Sequence, residues 1–103
     1  MDIYPEAWNS FEWDEGKRKA NREKHGIDFE DVRPAFDGRP RVDGPGVQNA
    51  RRSEERHVTI AEIEGVVIAI VWTWRGRAIR LISARVARRG ERELFTERIN
   101  GKN

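Results

Sequence analysis

Two hydrophobic periods divide this chain. From Val66 to Trp74 both alternating sets are apolar, with Val66, Ile68, Ile70 and Trp72 on one side and Val67, Ala69 and Val71 on the other. That is the pattern of a central strand covered on both faces. Arg56–Ile63 before it and Arg77–Arg85 after it also read as strands, and Gly65 and the Arg75-Gly76 pair supply turns short enough for antiparallel hairpins. Helical spacing rules the first part. Asp14 is a good N-cap for a helix over Glu15–His25, Glu15 suits the positive end of its dipole, and Gly26 supplies the left-handed stop. Phe29, Val32, Ala35 and Phe36 recur at helical intervals behind Asp28 and Asp31, which resemble a capping box. Pro34 removes a backbone donor and disfavours helical geometry at Arg33, so this second helix is expected to be short or kinked.

The remaining segments complete the order. Ser10–Trp13 reads as a short strand, Gly38–Ser53 as a long loop rich in proline and glycine, and Ala87–Ile99 as a last helix with Leu94, Phe95 and Ile99 on one side. Gly90 weakens that helix by about 1 kcal/mol relative to alanine. The expected fold class is α+β, in the order β-α-α-β-β-β-α, with helices packed on an antiparallel sheet. Residues 1–10 read as an N-terminal extension, 11–99 as a single domain and 100–103 as a tail.

A chain of 103 residues allows one modest core and leaves surface for a partner to cover. There is no cysteine, and His25 and His57 are far apart, so no disulfide, no metal and no other cofactor is expected. The start carries no secretory pattern and Val66–Trp74 is too short to span a bilayer as a helix, so the expectation is a cytoplasmic protein without a membrane partner.

The formal net charge is only +2, but its distribution is uneven. Between Arg75 and Arg92 stand seven arginines and one acid, Glu91. Arginine outnumbers lysine sixteen to four, and its planar fork suits phosphate oxygens; a compositional bias of the host explains the same ratio. Asp14, Lys17, Asn21 and His25 share one face of the first helix, with Lys24 beside them. A solvated polar face is the plain explanation of such a stripe, and a histidine at a helix end also suits the dipole. The other explanation is chemistry on RNA. Cleavage without a metal needs a base for the 2′-hydroxyl proton, cations for the charge growing on phosphorus, and an acid for the leaving oxygen. Imidazole serves as acid or base near neutrality, which makes His25 a candidate.

Arg56, Arg80 and Arg85 are candidate phosphate clamps and Glu55 a second group for proton transfer. Arg80 and Arg85 differ by an odd number, so in a regular strand they face opposite ways. Either the strand bulges or ends before Arg85, or one of the two arginines lies off the site. A salt bridge to Glu62 or Glu64 is the structural alternative for Arg80. Ser83 reads as a packed strand serine rather than a nucleophile, Trp72 as core, and Trp74, beside the turn, is open to stacking on bases.

These residues resemble the BrnT family of bacterial toxin–antitoxin modules. The resemblance is carried by Phe11-Glu12-Trp13-Asp14, Lys17, Asn21, Lys24-His25-Gly26-Ile27, Phe29, Phe36-Asp37, Glu55-Arg56, Arg80, Ile82-Ser83-Ala84-Arg85 and Glu91-Arg92. It implies a fold similar to RelE-type ribonucleases, metal-independent cleavage of mRNA that inhibits translation, and neutralisation by a BrnA-like antitoxin with a ribbon-helix-helix DNA-binding domain. It further implies repression of the operon, with operator DNA bound only through the antitoxin complex. Carried over by residue, it makes Lys24, His25, Arg56, Arg80 and Arg85 catalytic candidates, with Glu55 less certain; Lys17, Arg77, Arg88 and Arg89 are added as RNA-binding candidates. The sequence departs from the family at Val86, Ala87, Arg88, Arg89 and Gly90, where the family usually has lysine, alanine, threonine and two basic residues, and at Phe95, where tyrosine is frequent. A non-catalytic module that binds nucleic acid, or binds the antitoxin as a co-repressor, is the rival reading.

Overall fold

The computed structural model describes residues 10–46 and 55–100. The extension around Pro5 and Trp8, the second part of the expected loop and residues 101–103 of the tail lie outside the described residues. Chain order is β1 (Phe11–Glu12), α1 (Glu15–His25), α2 (Phe29–Val32), a 3₁₀ turn (Arg33–Phe36), β2 (Arg41–Pro45), β3 (His57–Ile63), β4 (Val66–Arg75), β5 (Ala78–Val86) and α3 (Arg89–Ile99). The α+β class and the meander of three long strands are as the alternation predicts.

Two differences from the sequence reading have clear causes. The expected loop contains a strand: Arg41–Pro45 pairs antiparallel with Ala61–His57 at the sheet edge. Only Val42 of that strand is buried, so it carries almost no hydrophobic period, and Pro45 falls at its end, where a missing donor is tolerated. The sheet is also mixed rather than wholly antiparallel. Its spatial order is β1-β5-β4-β3-β2, and β1 runs parallel to β5 with Phe11 opposite Ile79 and Glu12 opposite Arg80.

Local rules explain the helices. Asp14 accepts from the Lys17 N–H at 2.9 Å, and Gly26 closes α1 at φ 72° while its N–H donates to the Arg22 carbonyl. Pro34 ends α2 after one turn and the chain continues as 3₁₀, which keeps Phe29, Val32, Ala35 and Phe36 buried together. Glu64 and Gly65, both with positive φ, make the β3–β4 turn.

The core has two layers because β4 is apolar on both faces. On one face Phe29, Val32 and Phe36 pack on Ile68, Ile70, Trp72, Ile79, Leu81 and Ala84. On the other, Phe95 of α3 and Ala87 meet Val42 and Ile60, with Val58 and Val67 alongside. Trp72 is core, held by its indole N–H donating to Thr59 Oγ1 at 2.8 Å and stacked on His57 at 4.6 Å. Trp74 remains 50% exposed.

Helix α1 buries only Asn21. Strand β1 stops after Glu12, which leaves the rest of the β5 edge uncovered by a strand. The Asn21 amide takes that place. Its Nδ2 donates to the carbonyls of Ala84 (2.8 Å) and Ile27 (2.9 Å), and its Oδ1 accepts from the Ala84 N–H (3.0 Å). Arg18 adds a two-pronged pair to Asp28 at 2.8 and 3.1 Å, and that hydrogen-bonded guanidinium holds the Asp28 carboxyl below its ordinary range. A helix with almost no apolar face is thus held to the sheet edge by directed polar bonds.

Candidate nucleic-acid interface

The parity problem on β5 is resolved by a bulge. Leu81 pairs with Trp72 and Ser83 with Val71, so Ile82 is the extra residue. Arg80 then stands opposite Thr73 and Arg85 opposite Ala69, both odd-numbered positions of β4. The two arginines therefore share the face opposite Phe29 and Phe36, together with Ser83. Of the two alternatives left by the alternation, the strand bulges.

The two arginines are held very differently. Arg85 donates to both oxygens of Glu91 at 2.8 and 2.9 Å, and Glu91 also accepts the Arg88 N–H at 2.8 Å. Those bonds, led by that from Arg85, hold the Glu91 carboxyl down to about 2. Arg85 therefore pins the start of α3 to β5. Arg80 lies 3.7 Å from Glu12 Oε2, beyond hydrogen-bond length, with 26% of its side chain exposed. Glu12 on β1, and neither Glu62 nor Glu64, is the acid that the structure pairs with it.

Glu55 and Arg56 join the Arg80 end. Thr73, buried beside Arg80, donates its hydroxyl to the Glu55 carbonyl at 2.5 Å. The Arg56 carbonyl accepts from Gly46 at 2.8 Å, continuing the β2–β3 ladder, so Arg56 follows Val58 and Ile60 in the alternation of the arginine face. Arg77 lies in the β4–β5 turn, at this same end of the sheet.

His25 and Lys24 lie at the other end. His25 lines a cleft of about 650 Å³ with Ile27, Ile63, Val66, Ile68 and Val86, beside the β3–β4 turn. Ile68 pairs with Val86 and Thr73 with Arg80, so the two levels are five β4 residues apart, about 17 Å at the usual strand rise. The structure thus sorts the candidates into two groups: Glu55, Arg56, Arg77 and Arg80 at one end of β5, and Lys24, His25 and Arg85 at the other. Lys17 stands one helical turn before Asn21, between them. Arg88 caps α3, and the exposed Arg89 pairs with Glu93 at 3.1 Å.

Sequence reasoning missed the place of Glu12, read as part of a short strand and of the family motif but given no role, and of Thr73. Their roles depend on which strands are neighbours, for which neither position carries a local signal. It also missed Glu91 as the partner of Arg85, although the six-residue spacing from a strand end into the next helix's first turn was available.

Fold and site together define a small α+β domain whose sheet presents arginines from a face that one helix covers only in part. A family model described as the ribonuclease toxin BrnT of type II toxin–antitoxin systems matches residues 13–91, and the chain belongs to that family. No curated protein matches the chain. Membership makes it a toxin component of a ribonuclease family and implies an antitoxin partner. Among the described residues no helix is long and apolar enough to cross a membrane, and no group of three or more histidine, aspartate or glutamate side chains is placed to hold a metal ion.

Proposed function

We propose that this protein is an endoribonuclease that cuts mRNA without a metal, by attack of a 2′-hydroxyl on the adjacent phosphorus, and so stops translation and growth. The observation that carries this reading is the bulge at Ile82, which turns Arg80 to the sheet face that Glu12 and Arg56 share. A loosely held guanidinium exchanges its partner for phosphate at little cost, whereas one locked between two carboxylate oxygens does not. Arg80 therefore binds the scissile phosphate, with Arg56 and Arg77 from the same end of the sheet. Arg85 acts through Glu91 by holding α3 in place.

Lys24, His25 and Lys17 on α1, with Arg88 and Arg89 on α3, contact the RNA strand beyond the cut. The separation along β5 favours a binding role for His25 over proton transfer at Arg80. The partner is a BrnA-like ribbon-helix-helix antitoxin, the complex binds operator DNA through it, and the pair acts in the cytoplasm.

Induction of the wild type, Arg80→Ala and His25→Ala in bacterial cells, with and without the neighbouring gene, tests the reading. Arg80→Ala is expected to abolish growth arrest and His25→Ala to weaken it, and mapped RNA fragments from the wild type should end in a cyclic phosphate. Equal arrest by all three proteins refutes the site. Stable RNA binding with no cleavage by the wild type favours a binding module instead.

A further inference from the structure

We propose that Glu12 is the general base of the cleavage reaction, an inference that rests on the ribonuclease reading above. Its place follows from the sheet. Strand β1 sets Glu12 opposite Arg80 in parallel register, so carboxylate and guanidinium project from neighbouring strands of one face. Oε2 of Glu12 is 3.7 Å from Arg80 Nη1, has no accessible surface and accepts no hydrogen bond from the described residues. Buried carboxylate oxygens are almost always hydrogen-bonded, so such an oxygen asks for a reason.

Glu91, the acid beside Arg85, is spent. It has both oxygens occupied and its basicity lowered by Arg85. The Glu12 side chain is 37% exposed, and it lies beside the cation assigned to the phosphate. Bonds of catalytic groups are often long before substrate arrives and tighten around it. Both groups sit on sheet strands, which hold them more rigidly than loops would.

The step balances as follows. Glu12, with Oε2 against Arg80, takes the 2′-hydroxyl proton at Oε1. The 2′-oxygen forms its bond to phosphorus while Arg80 offsets the charge on the non-bridging oxygens. The bond from phosphorus to the 5′-oxygen breaks, and the leaving oxygen keeps the electron pair and takes a proton from water. The hydroxide so formed removes the proton from Glu12. The products are a 2′,3′-cyclic phosphate and a 5′-hydroxyl, and no proton is gained or lost.

The test is steady-state cleavage of a mixed-sequence oligoribonucleotide by the purified full chain across pH. Glu12→Gln keeps the shape and an acceptor for Arg80 but cannot take the proton. It is expected to lower kcat by about a hundredfold or more with KM near wild type, and to lose the acid limb of the kcat profile. Glu12→Asp keeps the charge and is expected to retain that limb with kcat lowered roughly tenfold, so it carries the test if Glu12→Gln does not fold. Glu12→Gln within about threefold of wild type, or Glu12→Asp without the acid limb, overturns the assignment of the base alone. No cleavage by the wild type overturns the ribonuclease reading with it, which keeps the two failures distinct.

Discussion

Replacing Asn21 by alanine tests whether polar bonds, and not apolar packing, hold α1 to the sheet. The substitution deletes three hydrogen bonds and leaves the N–H and carbonyl of Ala84 unpartnered at a buried position. Each buried backbone group left unsatisfied costs about 1–3 kcal/mol, and some water reaches the vacated space at the strand edge, so the expected loss is roughly 2–4 kcal/mol. Alanine is the better helix former, but that gain is only a few tenths of a kcal/mol. Urea unfolding followed by tryptophan fluorescence reads the loss directly. For a domain of this size it lowers Tm by roughly 10–30 °C. Asn21→Asp is the sharper control. Its carboxylate still accepts from the Ala84 N–H but sets a second acceptor against the Ala84 and Ile27 carbonyls, so it is expected to destabilise at least as much as alanine. A loss below about 0.5 kcal/mol for Asn21→Ala, or a milder effect for Asn21→Asp, refutes the account.

Three further outcomes follow from the same geometry. The Glu91 carboxyl is held down to about 2 by Arg85, so its stabilisation is full above its unfolded value of 4.5 and is lost as pH falls from there toward 2; Glu91→Gln should flatten the acid side of a stability–pH curve, and an unchanged curve refutes the pairing. Arg85→Ala is expected to cost about 1–3 kcal/mol of stability, because it frees a half-buried carboxylate, whereas Arg80→Ala should change stability by less than about 1 kcal/mol while losing RNA cleavage; paired melts and cleavage assays separate the two. Gly26→Ala forces a side chain into the left-handed region at φ 72° and is expected to cost about 1–2 kcal/mol by urea unfolding, loosening the segment that carries His25.

Much of this fold is legible in local pattern. Doubly apolar alternation marks β4 and demands a cover on each face, and Asp14 and Gly26 bound α1 because capping and left-handed geometry act within a few residues. Pro34 limits α2 for the same local reason. Strand β2 is illegible because one buried valine carries no period, and its pairing with β3 spans a long stretch of chain. The arginine cluster and the polar stripe of α1 are visible as candidates, yet their grouping is not. A single extra residue, Ile82, decides which face Arg80 shows, and a bulge is a property of two strands in register.

By itself, then, the amino-acid sequence determined the class of fold, the central strand, the helix ends and the cations able to meet phosphate, all of which depend on residues near one another along the chain. Only the tertiary structure decided that Arg80 and Arg85 share a face, that Glu91 occupies one while Glu12 stands loosely by the other, and that His25 lies at the far end of β5. Those facts depend on strand neighbours and register, which arise from distant segments packing together and have no local code.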